Sequence, residues 1–106
     1  MSEWIDVAAE NDLAVGEHVV VDVDGLDCVI FKLEDGLYAL EDVCPHDGAE
    51  IASGIIQGEE IVCPRHGARF CIKTGVVQCA PAYEDITSLE LRVNLGRVEV
   101  KALDWD

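Results

Sequence analysis

Positive charge is scarce in this 106-residue sequence. Seven Lys and Arg stand against 22 Asp and Glu, a formal net charge of −15. That deficit excludes nucleic acid and anionic membrane as partners, because both are bound through clustered cations. It points instead to basic patches on other proteins, with docking that weakens as salt rises. Long apolar runs are also missing, so no stretch approaches membrane-spanning length. The start, Met1-Ser2-Glu3-Trp4, is acidic and lacks the apolar region of an export signal. These absences predict a cytoplasmic protein of one domain, residues 1–106, with no membrane contact. Histidine is rarer still, with three in the chain, and aromatics make up 6%. Half the residues are hydrophobic, enough for one small core with little to spare.

Against this background, two short stretches combine most of the metal-binding residue types. They are Cys44-Pro45-His46 and Cys63-Pro64-Arg65-His66. Each offers one thiolate and one imidazole. Each is followed closely by glycine, Gly48 and Gly67, which lets the backbone curl tightly and lets amides approach inorganic sulfur. Proline after each cysteine stiffens the loop. Two Cys and two His can hold one zinc ion tetrahedrally. They can also hold a [2Fe–2S] cluster, with both cysteines on one iron and both histidines on the other. Zinc fingers pair like residues closely, whereas each loop here mixes a Cys with a His, so the spacing favours the cluster.

The remaining chain reads as antiparallel all-β. Strands are expected at Trp4 to Val7, Glu17 to Val23, Cys28 to Leu33 and Leu37 to Leu40. Turns fall at Asp24-Gly25 and Glu34-Asp35-Gly36. Gly48 to Ser53 is expected to hold one helical turn with Ile51 pointing inward. Gly54 to Ile56 and Glu60 to Val62 form a hairpin that returns the chain from the first ligand pair to the second. Ala68 to Ile72 and Val76 to Cys79 form another around Lys73-Thr74-Gly75. Leu89 to Asn94 and Arg97 to Lys101 close the chain around Leu95-Gly96. Cys28, Cys71 and Cys79 are expected to be buried thiols in a reducing compartment. Cys71 and Cys79 flank a turn and would be the pair to form a disulfide in an oxidising compartment.

Cys44-Pro45-His46-Asp47-Gly48-Ala49 and Cys63-Pro64-Arg65-His66-Gly67-Ala68-Arg69-Phe70, with Thr74-Gly75 and Ala80-Pro81-Ala82 beyond them, resemble the Rieske family. The likeness is to the small ferredoxins of bacterial ring-hydroxylating oxygenase systems. It implies the Rieske fold of antiparallel sheets with a two-loop cluster-binding subdomain. It implies one [2Fe–2S] cluster held by Cys44, His46, Cys63 and His66, and a proline loop at Pro81 lying over it. It also implies the partners: an NAD(P)H-dependent ferredoxin reductase and a terminal oxygenase, served by a monomeric one-electron carrier. Asp47 and Arg65, beside the ligand histidines, would sit at the docking tip.

High-potential Rieske proteins carry an extra cysteine in each loop and two hydroxyl donors after the second histidine. Here those places hold Ala49, Arg65, Ala68 and Phe70, and neither Ala68 nor Phe70 can donate a side-chain hydrogen bond. A low potential is expected, roughly −150 mV. An oxygenase active site would need a further mononuclear iron with two more histidines. Only His18 is left, and it is expected to be an exposed strand residue, so the chain is not read as an enzyme. Trp4, Trp105, Tyr38 and Tyr83 are expected to pack rather than relay electrons. Two other assignments stay open. One is the small subunit of an assimilatory nitrite reductase, which shares the fold. The other is a zinc-stabilised interaction module.

Overall fold

The computed structural model describes residues 4–44, 50–64, 67–79 and 84–102. Eleven strands are described: β1 (Trp4–Ala9), β2 (His18–Val23), β3 (Leu26–Leu33), β4 (Gly36–Glu41), β5 (Ile55–Gln57), β6 (Glu60–Val62), β7 (Arg69–Cys71), β8 (Val77–Cys79), β9 (Ser88–Leu89), β10 (Leu91–Asn94) and β11 (Arg97–Lys101). Helical structure among the described residues is one 3-10 turn, Glu10–Asp12. Among the described residues no helix is long and apolar enough to cross a membrane.

The strands form three antiparallel sheets. A central sheet runs β2-β3-β4-β9, a second β1-β11-β10 and a third β5-β6-β7-β8. Their hairpins follow from turn chemistry. Asp24 and Gly25 both have positive φ, 55° and 89°, the geometry that a two-residue type I′ turn requires. They join Val23 to its partner Leu26. Leu95 and Gly96 repeat the pattern at φ 52° and 78°, between Asn94 and Arg97.

β3 explains how the layers stack. Its sequence, Leu26-Asp27-Cys28-Val29-Ile30-Phe31-Lys32-Leu33, is apolar on both faces. Val29, Phe31 and Leu33 pack into one core with Leu40, Ile61, Phe70 and Ile72, which joins the central and third sheets. Cys28 and Ile30 pack into the other core with Ala39, Leu89, Val98 and Val100, which joins the central and second sheets. A strand buried on both faces needs a near-continuous hydrophobic run, and this one has it.

Three expectations change. No described helical turn occupies residues 50–53. The chain instead makes one tight turn, with the Gly54 amide donating to the Ile51 carbonyl at 2.9 Å. Ile51 does point inward and is fully buried; Gly48 and Ala49 lie outside the described residues. The run expected as one strand from Leu89 to Asn94 is two. β9 pairs with β4, and β10 pairs with β11, so the chain changes sheets at Glu90. Finally, Cys71 and Cys79 are not cross-strand partners. Cys79 faces Arg69, while the Cys71 amide donates to the Val76 carbonyl. That diagonal offset is wider than a disulfide spans without backbone movement, and no disulfide joins any of the five cysteines. Cys28 is buried as expected, Cys71 is half-buried, and Cys79 is exposed.

Candidate metal centre

The third sheet and the end of β4 bring the two ligand stretches together. β4 delivers Cys44, and β6 delivers Cys63. The hairpin of β5 and β6 carries the chain from one to the other, with Gln57 opposite Glu60 and Gly58 at φ 62° in the turn. Gly54 starts that return where no other residue fits. A Cβ there would lie 2.1 Å from the Val62 carbonyl oxygen.

Cys44 and Cys63 are 0% and 1% exposed. They belong to the same apolar core, beside Ile51, Ala52, Ala68 and Phe70. Two thiols buried in one dry cluster without a disulfide suit a soft metal site. His46 and His66 lie outside the described residues, as do Pro45, Asp47, Arg65, Pro81, Tyr83 and Trp105. The donor chemistry of the described half fits an iron–sulfur group, and it would equally accept zinc.

The second loop is closed by its own backbone. The Cys63 amide donates to the Ala68 carbonyl at 2.7 Å, and the Gly67 amide donates to the Cys63 carbonyl at 3.1 Å. Gly67 sits at φ 76°, which accounts for glycine there. Its amide is therefore turned back into the loop rather than offered to a bound sulfur. The segment after Tyr83 is also pinned. Asp85 accepts a hydrogen bond from the Val77 amide at 2.9 Å, and the Ile86 amide donates to Gly75 at 2.8 Å.

Asp42 is the site residue that the motifs do not reveal. Its Oδ1 accepts from the amides of Ile51 at 2.9 Å and Ala52 at 3.0 Å, on the far side of the first loop. The available signal is an Asp just before a loop, a residue type that readily caps neighbouring amides. Lys73 ties the third sheet to the turn between β3 and β4. It pairs with Asp35 at 2.5 Å and Glu59 at 2.9 Å and lies over the Tyr38 ring. His18 is exposed, as expected, and lines a groove with Leu13, Glu17 and Arg97 that includes neither ligand loop. Trp4 stacks under Arg92 at 4.3 Å, and Tyr38 packs against the core and bonds Asp35, so both are packing residues.

Antiparallel sheets stacked around two cysteine-bearing loops define a Rieske-type protein. Residues 3–90 match the Rieske [2Fe-2S] domain, and the chain belongs to that family. Such a domain implies a [2Fe–2S] cluster. The ferredoxin component of the naphthalene 1,2-dioxygenase/salicylate 5-hydroxylase systems of Ralstonia sp is 35% identical over 98 residues, 92% of this chain and 94% of that one. Among solved structures, a chain in the complex of reduced oxygenase and oxidized ferredoxin of carbazole 1,9a-dioxygenase superposes with a TM-score of 0.86 at 32% identity. The match covers 92% of this chain and 91% of that one. A Mycobacterium tuberculosis protein assigned as an NADH-dependent nitrite reductase small subunit superposes with a TM-score of 0.87 at 25% identity, over 99% of both chains.

Proposed function

We propose that residues 1–106 form one domain that binds a single [2Fe–2S] cluster through Cys44, His46, Cys63 and His66. It carries electrons from an NAD(P)H-dependent ferredoxin reductase to a terminal oxygenase, as a cytoplasmic monomer. When bound, the group supplies a one-electron couple. The chain's own residues do the rest. The buried neighbours Ala68, Phe70 and Ile51 keep water from the thiols, and the backbone closure of the second loop holds Cys63 in place. Asp47 and Arg65, next to His46 and His66 in sequence, meet the partners.

One observation carries this reading. Cys44 and Cys63 are buried in the same core at the ends of two separate loops, in a chain whose relatives are ferredoxin components of dioxygenase systems. The potential follows from the same core. Ala68 and Phe70 are fully buried beside Cys63 and carry no hydroxyl, so the midpoint falls near the low end of the Rieske range, roughly −150 mV. Iron and acid-labile sulfide assays, a rhombic EPR signal in the reduced protein and a redox titration test the assignment together. A colourless, zinc-containing protein, or a clearly positive midpoint, overturns it. Electron transfer to oxygenase should slow as salt rises, given the −15 charge.

The likeness to the nitrite reductase small subunit supports a second reading. A large subunit that co-purifies stoichiometrically would favour it. The intact Cys-His, Cys-His quartet favours the ferredoxin.

A further inference from the structure

The two ligand loops are closed by different means. The second is shut by backbone bonds, Cys63 to Ala68 and Gly67 to Cys63, which most side-chain changes would leave in place. The described ends of the first, where the chain leaves the central sheet and where it returns, meet on one side-chain oxygen. Asp42 Oδ1 takes the amides of Ile51 and Ala52 across sequence separations of 9 and 10 residues.

Both sides of this clasp are anchored. The Asp42 amide donates to the Asp27 carbonyl of β3 at 2.9 Å, and the Glu41 amide donates to Thr87 at 2.9 Å. The gripped residues, Ile51 and Ala52, are buried in the cluster that holds Cys44 and Cys63. A carboxylate that accepts two amides makes stronger bonds than a neutral acceptor. Its removal leaves two donors without partners beside an apolar core.

We propose that Asp42 is a positioning residue for the cluster. Its side chain ties the chain before Cys44 to the chain at Ile51 and Ala52, and its charge, two residues from Cys44, disfavours an added electron. This rests on the ferredoxin reading above. The two roles separate by substitution. Asp42→Asn keeps an acceptor oxygen and removes the charge, while Asp42→Ala removes both. An aspartate that merely shapes a turn during folding would influence neither the retention of metal nor the potential.

The test uses the purified, metal-loaded protein and its Asp42→Ala, Asp42→Asn and Asp6→Ala variants. Asp6→Ala breaks the Asp6–Arg97 pair on the second sheet and serves as a general destabilisation control. The readouts are the half-life of the visible absorbance under chelator, hydrogen exchange at the Ile51 and Ala52 amides, and the midpoint potential. Asp42→Ala should shorten the half-life by about tenfold, the weight of one charge-assisted hydrogen bond, and speed exchange at both amides. Asp42→Asn should hold the metal and protect the amides nearly as the parent does, with a more positive midpoint. Asp6→Ala should leave all three readouts unchanged. The proposal is overturned if Asp42→Ala keeps the parental half-life, if Asn fails to rescue, or if Asp6→Ala acts equally. Should Asp42→Ala not fold, the Asn variant decides, because an unshifted potential or unprotected amides sink the idea. A parent protein lacking iron and sulfide would fail the ferredoxin reading instead, while exchange at Ile51 and Ala52 would still report on the closure.

Discussion

Ile86 donates its amide to the Gly75 carbonyl at 2.8 Å, and the two backbones are so close that a Cβ on Gly75 would lie 2.0 Å from the Ile86 carbonyl oxygen. Gly75 also sits at φ 79°, where side chains are strained. Asp85 grips Val77 beside it. Together these contacts fasten the segment before β9 onto the hairpin of β7 and β8. Gly75→Ala should cost about 2–4 kcal/mol, from overpacking against backbone and from backbone strain. Urea unfolding at neutral pH checks this, and a loss below about 0.5 kcal/mol, the size of an ordinary surface change, would refute it.

Cys28 imposes an alkaline limit on stability. Burial, followed by the charges of Glu41, Asp27, Asp22 and Asp42, pushes its thiol from 9.0 up to about 12. The folded state therefore holds the proton that the unfolded chain releases. The resulting stability is complete below pH 9 and is lost as pH rises towards 12. Stability measured between those limits should fall in the parent and fall less in Cys28→Ala. In the folded protein at pH 8, mass-spectrometric labelling with an alkylating agent should mark the exposed Cys79 and spare Cys28.

Asp22 stands directly opposite Asp27 in the pairing of β2 with β3, and both are exposed. Like charges across a strand pair repel. Asp22 also accepts the Gly25 amide at 2.7 Å, which makes it the costlier of the two to replace. Asp27→Asn should stabilise the fold by roughly 0.2–1 kcal/mol. The gain should shrink at high salt, and a gain equal at low and high salt would rule out repulsion as its cause.

Leu95 is 97% exposed at φ 52°. Asparagine suits the first position of a type I′ turn, and leucine does not. Leu95→Asn should raise stability by about 0.5–1 kcal/mol and leave the visible spectrum unchanged. A lower melting temperature would contradict this.

The turns were readable because Asp24-Gly25, Gly36 and Gly58 advertise their backbone geometry locally. Cys44 and Cys63 stood out because each is followed within three residues by one of the three histidines. What stayed hidden depends on contacts between distant residues. The alternation of Leu89, Leu91 and Val93 continues smoothly through Glu90, so no local signal marks the change of sheet. The pairing of β1 with β11 joins opposite ends of the chain, Trp4 with Lys101, which periodicity cannot report. Asp42 looks like any polar residue before a loop until the fold brings Ile51 back to it. Of the helical turn expected over Gly48 to Ser53, the described residues 50–53 form a tight turn instead. Glu50 bonds the Ser53 amide and hydroxyl, and Gly54 closes a turn that ends there.

β3 supplies Val29 and Phe31 to one core and Cys28 and Ile30 to the other. The third sheet forms no strand pairing with the other two, yet its core is completed by Val29, Phe31 and Leu33 of β3. Any attempt to transplant the two loops without this strand would strip one side of the apolar interior that holds Cys44 and Cys63. Inheritance of the electron-carrying tip thus entails inheritance of the whole stack.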